Sequence, residues 1–129
     1  MKIGKDSMDY NYIKSVLEQI IDSYKILKEI RDKPGDLDTI RKELGKIQGL
    51  VKVVVNKIEK SGNYSDSYSE LLVASKSFLR DHNFNTEIDR ISQLYSEDSY
   101  RIRNIRLSIL SALENTKLIS KTIELLQVL

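Results

Sequence analysis

Apolar residues recur three and four positions apart through most of this 129-residue chain, a spacing that places them on one face of an α-helix. The first such stripe begins at Ile13 and stops before Pro34 and Gly35, because proline lacks the amide proton that a helix needs and glycine favours a turn. The pattern predicts a first helix over residues 9–32. Residues 1–8 carry no such pattern and are expected to form a flexible lead-in.

The second stripe is the most regular one, and it predicts a helix over residues 36–60 with coiled-coil-like packing against a neighbour. The run from Val51 to Val55 favours a strand by local propensity, but the helical spacing continues through it. Gly45 and Gly49 lie one turn apart in this helix, where each costs about 1 kcal/mol relative to alanine. We expect a closely crossing helix to offset that cost, with a ligand at the backbone as the alternative. The stripe consists of Leu37, Ile40, Leu44, Ile47, Val51, Val54 and Ile58.

A capping box that ends at Glu70 predicts the start of a third helix over residues 66–82. The remaining segment contains neither glycine nor proline, and it predicts a long helix over residues 86–128, about 65 Å in length. The segment Ser96–Ser99 has two central acidic residues and resembles a new helix start. A kink at that point, which would give five helices, is therefore the alternative.

Helices joined by short turns pack as antiparallel neighbours. The predicted fold is all-α: an antiparallel, up-and-down four-helix bundle with a long C-terminal helix. An open helical array built for assembly is the alternative. A chain of 129 residues is long enough to bury one core without a disulfide or a metal ion, so we predict a single domain over residues 1–129.

The last predicted helix carries two apolar stripes. One side of this helix is formed by Ile91, Ile102, Ile105, Ile109, Leu113 and Ile123. A set of leucines falls about 150° away on the helical wheel. Each leucine left exposed forgoes about 1.5–3 kcal/mol of burial, so something should cover this second stripe. Either the rest of the chain covers it, or it forms a partner or oligomer interface made of Leu107, Leu110, Leu118, Leu125 and Leu129.

The charge is nearly balanced, with 21 basic and 19 acidic side chains, so the overall field does not by itself predict a nucleic-acid partner. Basic residues nevertheless share helix faces near Tyr95 and Tyr100, whose rings could stack on bases. The competing interpretation is that they pair with carboxylates such as Glu97 and Asp98. The candidate phosphate contacts are Arg90, Arg101, Arg103, Arg106, Lys42 and Lys46.

Candidate catalytic chemistry is sparse. The chain has no cysteine and one histidine, His82, which excludes disulfides, thiol catalysis and metal sites that need two histidines. Asp81 is adjacent to His82, but neighbouring residues on a helix point about 100° apart and do not form a catalytic pair. The five glycines form no phosphate-binding loop. We predict no enzyme activity, no catalytic residue, no cofactor, no metal site and no small-molecule substrate.

Membrane and targeting signals are also missing from the sequence pattern. No window approaches the roughly 18 apolar residues of a membrane span, and the first residues contain no apolar signal segment. The sequence therefore predicts a cytoplasmic protein without a membrane partner.

The segment Arg103–Leu110, which has arginines at its first and fourth positions, resembles the arginine-bearing helix of GINS replisome subunits. It lacks their Arg-x-x-Lys-Ile ending. The helical plan is also similar to that of flagellar and type III export chaperones, and of small helical subunits of type III CRISPR complexes. These are likenesses of size and pattern, and no functional residue is transferred from them.

The sequence predicts a non-enzymatic helical interaction protein, such as a small subunit, an adaptor or a chaperone, that acts through protein–protein contacts of its C-terminal helix. The expected partner is another protein or a second copy of the chain, which would give a homo-oligomer. The alternative is a nucleic-acid-associated subunit of a nucleoprotein complex that uses an arginine-rich helix face.

Overall fold

The computed structural model describes residues 10–62 and 65–129, and the regular secondary structure within them is α-helical, with no strand. The all-α class that the sequence predicts is confirmed. The predicted lead-in, residues 1–8, lies outside the described residues. The helices of the described part are α1 (Tyr10–Glu29), α2 (Asp36–Ser61), α3 (Asp66–Asp81), α4 (Asn85–Leu94), α5 (Ser99–Asn115) and α6 (Leu118–Val128).

The first three helices lie close to their predicted ranges, although Ser67, the first residue of the predicted capping box, lies inside α3. Each of α1, α2 and α3 begins and ends within three residues of its predicted bounds. After α1, Asp32 has a φ of 63° and Gly35 a φ of 96°, and these two left-handed residues turn the chain toward α2. Gly62 follows α2 with a φ of 68°, the left-handed conformation with which glycine commonly ends a helix.

The last third of the chain is divided, and its first break lies between α4 and α5. The Asp98 carboxylate caps α5 by accepting hydrogen bonds from the backbone amides of Tyr100 and Arg101, at 3.1 Å and 3.2 Å. Such a cap satisfies amides that a helix start otherwise leaves unpaired. This break lies within Ser96–Ser99, the segment where the sequence allows a kink.

The second break lies at Lys117, whose φ is 68°. It separates α5, which buries Ile109, from α6, which buries Leu118 and Leu125. The buried faces of these two helices would lie about 150° apart on one continuous helix, so a straight helix would leave one face outside the core. The turn at Lys117 brings both faces inside. The prediction of a single long helix over residues 86–128 is wrong for this reason.

The helices pack around a shared apolar core. α1 packs against α2, α2 against α3, α3 against α6 and α6 against α1, while α5 contacts α1, α2, α4 and α6. α5 runs antiparallel to α1, because Arg106 contacts Asp32 beyond the end of α1, whereas Glu114 accepts a hydrogen bond from Tyr24 within α1. Fully buried core residues include Ile13, Leu17, Ile20, Leu44, Ile47, Phe78, Ile109 and Leu118.

A buried carboxylate interrupts the apolar contact between α1 and α2. Glu43 is buried, and it accepts a hydrogen bond from the Ser23 hydroxyl at 2.7 Å. The Lys46 ammonium lies 3.6 Å from the same carboxylate oxygen. Because a buried carboxylate is costly without such partners, these two side chains hold Glu43 in place. The sequence pattern does not distinguish it from the exposed acids of α2.

Gly45 and Gly49 lie on an open surface of α2. A Cβ atom added to either residue would meet no atom within 4 Å outside the neighbouring helical backbone. The expectation of a closely crossing helix at these glycines is therefore wrong for the part of the chain that the structure describes.

Candidate protein-interaction groove

An open groove lies between α5 and the connection from α3 to α4, and we call it the α5 groove. Its volume is about 660 Å³. The short side chains on this side of α5 leave the groove open beside the helix backbone. Its lining residues are His82, Phe84, Asn104, Leu107, Ser108, Ser111, Ala112 and Asn115.

Four polar residues of α5 give the groove its hydrogen-bonding capacity. Asn104, Ser108, Ser111 and Asn115 are four, three and four residues apart, so they share one side of the helix. Their amides and hydroxyls can both donate and accept hydrogen bonds. This side of the groove is therefore polar without carrying a net charge.

Two stacked rings form the opposite wall. The rings of His82 and Phe84 have centroids 6.2 Å apart and are nearly parallel, with an angle of 12° between their planes. His82 also lies against Phe78, a core residue of α3, at 6.3 Å between ring centroids. Since Phe78 is fully buried, this contact ties the wall to the core.

A second cavity of about 250 Å³ continues the α5 groove toward the start of α5, because it shares Asn104 and Ser108 with it. The two cavities together follow α5 from Arg101 to Asn115, which corresponds to a length of about 21 Å. The groove is thus long enough for about four turns of another helix.

The two charged residues of this second cavity already have partners. The Glu87 carboxylate accepts hydrogen bonds from Arg90 at 2.8 Å and 2.9 Å. The Arg101 guanidinium lies 3.3 Å from the Asp98 carboxylate and 3.7 Å from the centroid of the Tyr95 ring. With its charges neutralised, the extended groove offers amides, hydroxyls and apolar surface.

The predicted leucine interface is not one surface. Leu110, Leu118 and Leu125 are buried in the core of the single chain, with exposures of 8%, 0% and 1%, so they form no exposed surface there. Their inclusion in an exposed partner surface is corrected: the rest of the chain covers them, which is the other interpretation that the sequence left open. Leu107 is 42% exposed and lines the α5 groove. Leu129 lies at a separate cavity at the end of α6.

The predicted phosphate contacts are also dispersed. Arg90 and Arg101 are paired with carboxylates, as described above. The Lys46 ammonium lies beside the Glu43 carboxylate, and Arg106 is paired with Asp32 through two hydrogen bonds of 2.7 Å and 3.0 Å. Arg103 and Lys42 are exposed, and neither has a hydrogen-bond or ion-pair partner among residues 10–62 and 65–129. These two residues are the ones that remain available for an anionic partner.

Among the described residues, the groups around His82 do not form a general-base arrangement. The adjacent Asp81 carboxylate accepts hydrogen bonds from Arg80 at 2.8 Å and 3.0 Å, and this contact lowers the pKa of Asp81 below its usual range. No carboxylate of the described residues is hydrogen-bonded to His82, and no group of three or more metal-ligating side chains occurs among them.

Sequence reasoning missed the polar side of the α5 groove. The spacing of Asn104, Ser108, Ser111 and Asn115 was a readable signal, because a surface side of a helix made of small polar residues rather than lysine and glutamate is unusual. The wall residue Phe84 gave no such signal, since it lies in a connection between two helices.

No helix within the described ranges is both long enough and apolar enough to cross a membrane. In comparisons with protein-family models, with curated proteins and with solved structures, the chain has no significant match.

Proposed function

We propose that this protein is a non-enzymatic helical interaction subunit that receives a helix of a protein partner in the α5 groove. The observation that carries the proposal is the groove itself, an open channel about 21 Å long beside an exposed face of α5. Amphipathic helices commonly bind in grooves of this kind through a few apolar anchors. Leu107 and Phe84 supply apolar contacts here, and the short Ser108 and Ser111 side chains permit close approach of a partner backbone.

The chemistry of the lining supports a protein partner. Amide and hydroxyl groups would fix the direction of a bound helix, and the apolar wall would supply contact area. The partner is another protein or a second copy of this chain, and a second copy would make the protein a homo-oligomer. A small molecule would leave most of this open channel uncovered, whereas binding sites for small molecules usually enclose their ligand.

The proposed scaffold for the groove is an antiparallel four-helix bundle within a single domain. In this arrangement α1, α2 and α3 are three members, and α5 together with α6 is the fourth. The contacts of α6 with both α1 and α3 support it, as does the antiparallel course of α5 along α1. Residues of a groove built on such packed helices are held more precisely than residues of loops.

Site-specific photo-crosslinking in cells tests the proposal. A photoreactive amino acid replaces Ser111 in the groove, and the matched control places it at Asn56, which is exposed on α2 and does not line the groove. We expect a discrete protein adduct from Ser111 that is lost when Leu107→Glu is added. The absence of an adduct at Ser111, or an equal adduct at Asn56, would contradict the proposal. An adduct of twice the chain's mass would identify a second copy as the partner.

A second candidate function is nucleic-acid association through Arg103 and Lys42, because both are exposed and lack partners among the described residues. Fluorescence anisotropy with a labelled single-stranded oligonucleotide tests it across a range of salt concentrations. Phosphate contacts weaken as salt rises, so binding should fall steeply and should be lost in Arg103→Glu combined with Lys42→Glu. An affinity for the oligonucleotide that changes neither with salt nor with the two substitutions would exclude this candidate.

A further inference from the structure

The connection between α5 and α6 depends on the conformation of one residue. Thr116 keeps a right-handed helical conformation, with φ −74° and ψ −9°, and its amide and hydroxyl both donate to the Ala112 carbonyl oxygen. Lys117 alone changes the direction, with φ 68° and ψ 15°. Left-handed backbone is unfavourable for a residue that is neither glycine nor asparagine. The hinge therefore stores backbone strain at Lys117.

The sequence around the hinge favours a straight helix. Residues 112–118 contain neither glycine nor proline, and alanine, leucine, glutamate and lysine are among them. If Lys117 returned to the right-handed conformation, α5 and α6 would form one helix from Ser99 to Val128, about 45 Å long. This is most of the long helix that the apolar pattern predicts.

A straight helix cannot keep both buried faces in one core. α5 buries residues such as Ile105 and Ile109, whereas α6 buries Leu118 and Leu125, which would lie about 150° away on a continuous helix. Straightening would therefore withdraw α6 from α1 and α3 and expose these two leucine side chains, which are nearly completely buried. A second copy that opens in the same way offers the vacated surface of α1 and α3.

We propose that two copies of this chain exchange α6, so that α6 of each copy packs on α1 and α3 of the other. The exchanged dimer restores the contacts of the closed monomer, because the same surfaces meet. It also releases the strain at both Lys117 hinges. A short, strained hinge is the feature that commonly favours such an exchange.

Packing around α6 lowers the barrier to its release. The hydroxyls of Tyr68 and Ser75 in α3 and of Thr122 in α6 are buried without a hydrogen-bond partner in the described structure. A cavity of about 370 Å³ lies between α3 and the hinge, lined in part by Val73 and Lys117. Buried hydroxyls without partners make the packing of α6 less favourable.

Lys121 provides a position for detecting the exchange. Its ammonium lies 3.1 Å from the Glu70 carboxylate, so these two side chains mark the contact between α6 and α3. The chain has no cysteine of its own. Glu70→Cys combined with Lys121→Cys therefore places one reactive pair across this contact, which a short bis-maleimide reagent can join.

The crosslinked products are separated on a denaturing gel after the protein has been concentrated and refolded from denaturant. A closed monomer gives an internal crosslink at the monomer mass, whereas an exchanged dimer gives a covalent dimer. The two hinge variants Lys117→Ala and Lys117→Gly are compared in this background. Glycine relieves the strain of the closed hinge and disfavours the straight helix, whereas alanine favours the straight helix.

We expect a covalent dimer in Lys117→Ala and at least a 25-fold weaker dimerisation in Lys117→Gly. Glycine favours the left-handed, closed conformation over alanine by about fivefold at each of the two hinges. Internally crosslinked monomers alone in Lys117→Ala, or equal dimer in both variants, would overturn the exchange. A dimer seen by light scattering that gives no covalent dimer would also overturn it. That last result would assign association to another surface and leave the α5 groove proposal standing.

Discussion

The Arg106 guanidinium and the Asp32 carboxylate form a two-point contact across 74 residues of sequence, with N–H···O distances of 2.7 Å and 3.0 Å. Both side chains are 12% exposed. A further N–H of Arg106 donates to the Leu27 carbonyl oxygen at 3.1 Å, which satisfies an otherwise unpaired group at the end of α1. The contact raises the pKa of Arg106 and holds Asp32 in its left-handed conformation, so this arginine fastens α5 to the end of α1.

Replacement of Arg106 by alanine should lower the free energy of unfolding by about 3 kcal/mol. The substitution leaves the mostly buried Asp32 carboxylate without its charged partner, and such a broken pair is strongly destabilising. Urea denaturation followed by circular dichroism measures the change. Arg103→Ala is the matched control, because Arg103 lies on the same helix but is exposed and unpaired among the described residues. A change below about 0.5 kcal/mol is expected there, and equal effects would contradict the structural role of Arg106.

The elements that sequence could predict are those fixed by local signals. The apolar spacing from Leu37 to Ile58 defines α2, and the Asp98 cap at the start of α5 lies in a segment with a helix-start composition. Lys117 is different, because nothing in its side chain favours a positive φ. The break there results from burial of Leu118 and Leu125 in the tertiary core, which no local pattern encodes.

The candidate site was less predictable for the same reason. The leucine stripe assumed that Leu107 and Leu118 lie on one straight helix, and the turn at Lys117 removes that common axis. The contact of Arg106 with Asp32 joins residues that are distant in sequence. The local charge pattern therefore predicted that Arg106 is available for a phosphate group. Only Leu107, among the predicted interface leucines, lines the α5 groove.

Leu118→Ala and Leu107→Ala should have very different effects on stability. Leu118 is fully buried, and its truncation should lower the free energy of unfolding by about 2–5 kcal/mol, through lost burial and the cavity left behind. Leu107 is 42% exposed, so its truncation should change stability by no more than about 0.5 kcal/mol. Thermal or urea unfolding of the two variants compares them directly. A neutral Leu118→Ala would mean that α6 does not pack in the core as described.

The stability that Tyr24 contributes to the folded protein should be lost at alkaline pH. Burial raises its pKa to about 12, with a further contribution from the hydrogen bond that its hydroxyl donates to Glu114 at 2.6 Å. A group whose pKa is higher in the folded state contributes stability below its unfolded pKa, near 10, and loses that contribution as pH rises toward 12. Urea unfolding at several pH values should show the advantage of the wild-type protein over Tyr24→Phe shrinking across this range. An advantage of the wild-type protein that stays constant up to pH 12 would contradict this role of Tyr24.

Gly45→Ala and Gly49→Ala should each stabilise the protein by about 0.5–1 kcal/mol. Both glycines are helical, and an added Cβ meets nothing within 4 Å, so alanine gains helix propensity and restricts the unfolded chain without a clash. Gly62→Ala is the matched control, because the space around it is also open but its φ of 68° is unfavourable for alanine. That variant should instead lose about 1 kcal/mol. Unfolding midpoints that fall in Gly45→Ala or Gly49→Ala would contradict the open environment of these two glycines on α2. Because the two glycines lie one turn apart with no shared contact, the effects of the double variant should add.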